Sequence, residues 1–197
     1  MNGSVLANKS ATDRSATDFY PTPPDVTVAL LDFLEMDGRL DNNQTIWEPA
    51  CGTGEMAEAM KEKGYSVFSS DRYPSGYGKP IAVDFLASEP VEVDWIITNP
   101  PFSLAEKFIR HALELDRPFA FLLKSQFWHA KKRLELFEKH PPAYVLPLTW
   151  RPDFLCGKKS GSPTMECLWT VWLQQECITE YHPLRRPTDN QLCKKEE

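Results

Sequence analysis

The sequence predicts an α/β fold in which a mostly parallel sheet carries helices on both faces and ends in an antiparallel hairpin. Strand-like and helix-like segments alternate along most of the chain, and this alternation is typical of a parallel sheet covered by helices. The last two strand-like segments have no convincing helix between them, which indicates the hairpin. With 197 residues the chain is long enough for one domain with a sizeable core.

The first half of this pattern begins with a helix. Thr22 can cap it, and the prolines that follow suit a first helical turn. Its apolar residues recur at helical spacing, so they fall on one face. A strand, a helix closed by Gly64 and a second strand are predicted next, over residues 45–48, 55–63 and 65–70.

The second half begins with a strongly apolar strand at residues 93–98. Ser103 and Glu106 then form a capping-box pattern, and the apolar residues behind it share one helical face. The remaining predicted elements are a strand, a helix and the two strands of the hairpin, over residues 119–123, 128–139, 144–148 and 167–173.

The composition is that of a soluble cytoplasmic protein. No apolar run approaches the roughly 20 residues of a membrane-spanning helix, and the first residues do not resemble a signal peptide. The five cysteines show no regular spacing, which argues against a zinc site, any other metal site or a disulfide framework. The polar residues 1–17 and 182–197 are predicted to be loose tails around a domain at residues 18–181.

A glycine loop at residues 48–54 follows a strand and precedes a helix. Its glycines match the loose fingerprint of a dinucleotide site, with Asp71 placed to bind a ribose. However, the carboxylate of Glu48 at the strand end would repel a pyrophosphate and could pair with an ammonium group. The loop therefore suits S-adenosylmethionine, which has a ribose and a cationic amino-acid end. An ordinary glycine-rich turn is the alternative.

Two further segments carry candidate chemistry. Asp84 and Phe85 could hydrogen-bond and stack on an adenine, unless they are a surface carboxylate and a core ring. Asn99-Pro100-Pro101-Phe102 closes an apolar strand, and its prolines remove two backbone donors. The Asn99 side chain and the Asn99 and Pro100 carbonyls then form a cluster of acceptors beside an exposed Phe102. Such a set suits methylation of a planar amino group. It would activate this group by positioning and electrostatics rather than through a strong base.

At these residues the chain resembles class I S-adenosylmethionine-dependent methyltransferases, most closely the small N6-adenine-specific DNA methyltransferases of phages and prophages, over residues 18–175. The resemblance implies a Rossmann-like sheet of seven strands and S-adenosyl-L-methionine as cofactor. It implies a catalytic motif of Asn99, Pro100, Pro101 and Phe102. The implied cofactor-binding residues are Tyr20, Thr22, Pro23, Glu48, Pro49, Ala50, Cys51, Gly52, Gly54, Asp71, Arg72, Asp84 and Phe85.

The chain departs from sequence-specific members of this family in its length. Only about 95 residues follow Phe102, most of them needed to finish the sheet, so specificity is slight or comes from loops such as residues 151–164. The same motif occurs in enzymes that methylate adenine in RNA or glutamine in proteins. An RNA adenine, a protein glutamine and an inactive cofactor-binding module therefore remain alternatives.

Charge is segregated along the chain, although the total is −6. Residues 1–120 hold 10 basic and 19 acidic residues, whereas residues 121–197 hold 12 basic and 9 acidic residues. An acidic total argues against a nucleic-acid partner, but a basic half that follows the catalytic motif can steer a polyanion locally. A solvated helix face is the alternative. The predicted substrate-binding residues are Lys131, Lys132, Arg151, Lys158 and Lys159.

Overall fold

The computed structural model describes residues 20–73, 77, 82–154, 165–174 and 178–188. The α-helices in these ranges are α1 (Pro24–Met36), α2 (Glu55–Glu62), α3 (Ala105–Glu114) and α4 (Leu134–Lys139). The strands are β1 (Thr45–Glu48), β2 (Ser66–Ser69), β3 (Trp95–Thr98), β4 (Phe119–Lys124), β5 (Tyr144–Pro147), β6 (Cys167–Trp172) and β7 (Glu180–Tyr181).

The seven strands form one sheet in the order β2-β1-β3-β4-β6-β5-β7. Strands β2, β1, β3 and β4 are parallel to one another, and β6 pairs antiparallel with both β4 and β5. The predicted α/β fold and its antiparallel hairpin are therefore confirmed. The hairpin lies partly inside the sheet, because β6 is inserted between β4 and β5, and the short β7 covers the outer edge of β5.

Helices cover both faces of the sheet, and each face has its own core. On one face α1 and α2 pack on residues such as Ile97 and Trp169, and on the other α3 packs on Ile96 and Trp172. Neighbouring residues of one strand point to opposite faces, and both are buried. This explains why the central strands β3 and β4 are apolar at nearly every position.

Two helix starts differ from the sequence prediction. In the described part of the chain no side chain caps α1, because Pro23 occupies the N-cap position and the Thr22 hydroxyl accepts a hydrogen bond from Asn99. No side chain caps α3 either, because the chain first makes a turn in which the Leu104 amide donates to the Pro101 carbonyl at 2.8 Å. Glu106 therefore pairs with arginines instead of capping its own helix.

Only the second half of the helix predicted at residues 128–139 is an α-helix, and 3₁₀ turns take the place of the first half. Ser125–His129 and Lys131–Arg133 are 3₁₀ turns, and only the last six residues form α4. Ala130 separates the two turns because its backbone is extended.

The chain continues along β5 after β7. The Leu184 amide donates to the Pro147 carbonyl at 2.8 Å, and the Leu184 side chain is buried. Packing thus extends past residue 181 within the described range. In the described part of the chain, no helix has the length and apolar character needed to cross a membrane.

Candidate active site

Three adjacent parallel strands, β1, β3 and β4, end at the same edge of the sheet, and each supplies a polar side chain there. Glu48 ends β1, Asn99 follows β3, and Lys124 ends β4. In each case the residue two positions earlier packs in the core under α1 and α2. Because side chains alternate along a strand, all three groups belong to that face, at the carboxyl edge where open α/β sheets bind ligands.

Glu48 is a buried carboxyl group, 2% exposed, that forms a hydrogen bond with the Ala57 backbone. Within the described ranges no cation is hydrogen-bonded to it, and its Oε2 atom has no partner. Burial, with smaller contributions from the negative charges of Glu55 and Asp71, raises the Glu48 pKa to about 8. The group is therefore mostly protonated at neutral pH and would gain most from a ligand that brings a positive charge.

The glycine loop joins this carboxyl group to the end of β2. The Gly52 amide donates to Asp71 Oδ2 at 2.9 Å, and Asp71 Oδ1 accepts from the Tyr73 amide at 2.7 Å. Gly54 has a φ of +97°, and a Cβ there would collide with the Tyr77 ring, so only glycine fits. The loop thus connects β1 to the start of α2, and its backbone lies close to the carboxyl groups of Glu48 and Asp71.

The other predicted cofactor-binding residues of the loop are largely buried. Pro49, Cys51 and Gly52 are buried, and Ala50 is half-buried. Burial first, and then the charges of Glu48 and Asp71, raise the Cys51 pKa to about 12. The thiol is therefore protonated at neutral pH and is no nucleophile.

Asn99 is held by the segment that precedes α1. Its Nδ2 atom donates to the Thr22 hydroxyl at 3.0 Å and to the Tyr20 carbonyl at 3.3 Å. These two acceptors fix the orientation of the amide, so Oδ1 faces the other way. Asn99 Oδ1 is buried and has no hydrogen-bond partner among the residues that the structure describes. A buried acceptor without a donor is costly, and a ligand N–H group would relieve that cost.

Thr22 therefore orients Asn99, and its replacement tests this role. We expect Thr22→Val to lower kcat about tenfold, because one hydrogen bond of about 1.4 kcal/mol no longer holds the amide. Thr22→Ser should restore most of the activity, since it keeps the hydroxyl. Steady-state kinetics and cofactor titration of both variants measure this. A Thr22→Val variant with normal kcat and weaker cofactor binding would instead assign the hydroxyl to the cofactor.

Aromatic side chains and one ammonium group surround Asn99. The rings of Tyr20 and Phe102 are 5.4 Å apart between centroids, and Phe154 packs edge-on against Tyr20. Lys124 Nζ lies 3.9 Å from the Phe102 centroid and 5.5 Å from that of Tyr20. Phe102 is therefore half-buried with an ammonium group over its ring, which corrects the expectation of an exposed aromatic face.

Of the Asp84-Phe85 pair, Asp84 lies at the surface and Phe85 lies in the core. Asp84 is partly exposed, accepts from the Leu86 amide at 3.1 Å and lies 3.5 Å from Arg72 Nη1. Phe85 is 1% exposed and packs against Trp47 and Phe108. The Phe85 ring thus offers no face to a ligand, which corrects the predicted stacking role. The Val83 amide donates to the Asp71 carbonyl at 2.9 Å, which keeps Asp84 near the glycine loop.

The predicted substrate-binding residues are spread over the surface. Lys131 and Lys132 are exposed on a 3₁₀ turn. Arg151 is exposed and pairs with Glu166 at 2.8 Å. Lys158 and Lys159 lie outside the described residues.

Two members of the site were not predicted from the sequence, Lys124 and Phe154. For Lys124 a signal existed, because it is the only charged residue in an otherwise apolar strand. For Phe154 no local pattern distinguishes an aromatic residue in a loop from any other. Pro23 and Pro100 shape the turns that carry Thr22 and Asn99.

No protein-family model matches the chain, and no curated protein matches its sequence. Solved structures do match it. A putative RNA methyltransferase from Pyrococcus horikoshii has a TM-score of 0.60 at 17% identity, over 78% of this chain and 87% of that one. A putative class I S-adenosylmethionine-dependent methyltransferase from Listeria monocytogenes has a TM-score of 0.58 at 15% identity, over 87% and 68%.

A third structure is the methyltransferase subunit of a type I restriction-modification system from Streptococcus thermophilus. It has a TM-score of 0.62 at 14% identity, and the match covers 88% of this chain but only 51% of that subunit. These likenesses confirm the predicted Rossmann-like methyltransferase fold.

Proposed function

We propose that this chain, which has the fold of class I methyltransferases, transfers a methyl group from S-adenosyl-L-methionine to the N6 amino group of adenine in DNA. One observation carries the proposal. Asn99 Oδ1 is a buried acceptor without a partner, oriented by Thr22 and Tyr20 and placed beside the Phe102 ring. A planar ring with an exocyclic amino group fits both features. Its N–H group would donate to Asn99 Oδ1, and its face would stack on Phe102.

The residues on the β1 side fit the cofactor. The Oε2 atom of Glu48, which has no partner among the described residues, suits the ammonium group of the amino-acid end of the cofactor. Asp71 keeps acceptor capacity for ribose hydroxyls beside its two backbone donors, and Asp84 lies next along the chain toward the adenine end. When bound, S-adenosyl-L-methionine supplies an electrophilic methyl group on a sulfonium.

The chain's own residues activate the target amine by position. The lone pair of an aromatic amine is delocalised into the ring. Hydrogen bonds accepted by Asn99 Oδ1 and the Pro100 carbonyl from the two N–H groups localise that lone pair on nitrogen, and Phe102 holds the ring plane. Because these acceptors are fixed before the substrate binds, they need little reorganisation. No residue of the site has to act as a strong base, since the proton leaves after the methyl group arrives.

DNA as the substrate is supported by exposed basic residues and by the structural neighbours. A base in a duplex must be flipped out to reach a pocket of this kind. The exposed Lys131, Lys132 and Arg151 follow the catalytic motif in the sequence and can bind backbone phosphates. Among the structural neighbours are methyltransferase subunits of type I restriction-modification systems, one of them from Vibrio vulnificus described as a modification subunit of a putative type I enzyme.

The test is an assay with S-adenosyl-L-methionine labelled on its methyl group. The protein is incubated with separate pools of DNA, RNA and protein, and the modified residue is identified after digestion. We expect label in DNA as N6-methyladenine. Label in RNA adenine or in protein glutamine would replace the proposed substrate, because both present similar N–H groups. Cofactor binding without transfer to any pool would indicate an inactive cofactor-binding module.

A further inference from the structure

Lys124 covers the ring on which the target base is proposed to stack. Its ammonium group lies 3.9 Å from the Phe102 centroid, which is close enough for a cation–π interaction. A base in van der Waals contact with that face would need the same space. If a base stacks on this face, the ammonium group must therefore move. Its new position determines how Lys124 contributes to binding of the target nucleotide.

Cation–π contacts place the ammonium group over the Phe102 and Tyr20 rings. A charge-assisted hydrogen bond to a phosphate oxygen is stronger than such contacts and roughly twice as strong as a neutral hydrogen bond. The Lys124 backbone is fixed in β4 between β3 and β6, while its side chain has four rotatable bonds. The ammonium group can thus leave Phe102 while its attachment point stays at the end of β4.

The position of Lys124 along the sheet edge also suits contact with the substrate. Along the sheet edge, the acidic Glu48 lies on β1, the neutral Asn99 follows β3, and the basic Lys124 ends β4. The acidic end suits the cationic end of the cofactor. The basic end suits an anion, and the anion attached to a target nucleotide is its phosphate.

We propose that Lys124 binds the phosphate of the target nucleotide, leaving the Phe102 ring as the base stacks on it. This inference rests on the proposed function and deepens it, because it makes the phosphodiester part of what the site recognises. A glutamine side chain or a free adenine base would displace the ammonium group without giving it a phosphate. The site would therefore favour nucleic acid over protein and free-base substrates.

The experiment compares Lys124→Met, which keeps the methylene chain and removes the charge, with Lys124→Arg, which keeps a charge. The matched control is Lys139→Met, because Lys139 is an exposed lysine near the start of β4, at the opposite sheet edge. The substrate is DNA with one target adenine, with a neutral methylphosphonate in place of the phosphate on its 5′ side, its 3′ side or neither. KM, its salt dependence, kcat and thermal stability are measured.

We expect Lys124→Met to raise KM for unmodified DNA about tenfold, as for loss of one charge-assisted hydrogen bond. The slope of log KM against log salt should become shallower by about 0.7–0.9. One of the two methylphosphonates should weaken the wild type by a similar factor and leave Lys124→Met unaffected, since coupled changes are not additive. Lys124→Arg should largely keep the wild-type slope, and Lys139→Met should match the wild type.

The opposite results separate the two proposals. If the wild type methylates DNA but Lys124→Met has an unchanged or lower KM, the ammonium group only competes with the base, and the inference is wrong. If the effects of Lys124→Met and of each methylphosphonate on log KM are fully additive, Lys124 does not contact either phosphate, and the inference is also wrong. If the wild type methylates protein and not nucleic acid, the proposed function fails, and the phosphate contact fails with it.

Discussion

Replacement of Asn99 by alanine is expected to lower kcat by about a thousandfold or more. The loss of one preorganised hydrogen-bonding group in an active site costs about 10²–10³ in rate, and here the same side chain also fixes the position of the amine. Cofactor affinity should stay within about threefold of the wild type, because no cofactor-binding residue is changed.

Single-turnover transfer to DNA and calorimetric titration of the cofactor measure these two quantities separately. The matched control is Asn43→Ala, in which an exposed asparagine of the turn before β1 is truncated. We expect this control to keep wild-type activity. Full activity of Asn99→Ala would contradict the catalytic assignment, and loss of cofactor binding would move Asn99 to the cofactor site.

Replacement of Glu48 by glutamine should weaken cofactor binding about 10–100-fold, as expected for loss of a hydrogen bond to a charged group. In the free protein Glu48 has a pKa of about 8 and is mostly protonated at pH 7. Pairing with an ammonium group favours the carboxylate, so cofactor binding near pH 7 should release up to one proton. The affinity of the wild type should accordingly rise between pH 6 and pH 8. Titration calorimetry in two buffers of different ionisation enthalpy measures the released proton.

The same substitution should increase the pH range over which the free protein is stable. Unfolded Glu48 has its ordinary pKa of 4.5, whereas burial raises the folded value to about 8. The folded state thus keeps a proton that the unfolded state loses, and the free energy of unfolding falls as pH rises from 4.5 to 8. This loss is on the order of 5 kcal/mol. Glu48→Gln lacks it and should be more stable than the wild type at pH 9.

Urea denaturation of the free protein at pH 5, 7 and 9 measures this difference. Glu62→Gln is the matched control, since Glu62 is exposed at the end of α2, and it should follow the wild-type profile. Parallel pH profiles for Glu48→Gln and the wild type would show that the Glu48 pKa is not raised.

The elements of the fold could largely be predicted because apolar periodicity is a local property. Strand β1 has the predicted bounds, and β4 differs by one residue. The helix predicted after β4 was right only for its second half. The first half depends on a contact from another element, because Arg133 donates to the Phe127 carbonyl at 2.8 Å and also pairs with Glu106 of α3.

In the candidate site, too, local motifs could be predicted and contacts between distant segments could not. Short motifs identified Glu48, Asp71 and Asn99, because glycines, prolines and carboxylates carry their chemistry in local spacing. The role of Thr22 could not be predicted, since its bond to Asn99 spans 77 residues of sequence. Phe85 could be a ligand surface or a core ring until its neighbours were known, and only the packing of Trp47 and Phe108 against it decides this.

The sequence by itself therefore determined the α/β class, the order of most elements and the residue types that suit methyl transfer. The tertiary structure alone decided that Asn99 presents its oxygen, that Glu48 is buried without a cation and that Lys124 covers Phe102. The physical reason is that hydrogen-bond direction, pKa and exposure depend on neighbours brought together by the strand order. That order is set by packing across the whole sheet rather than by any one segment.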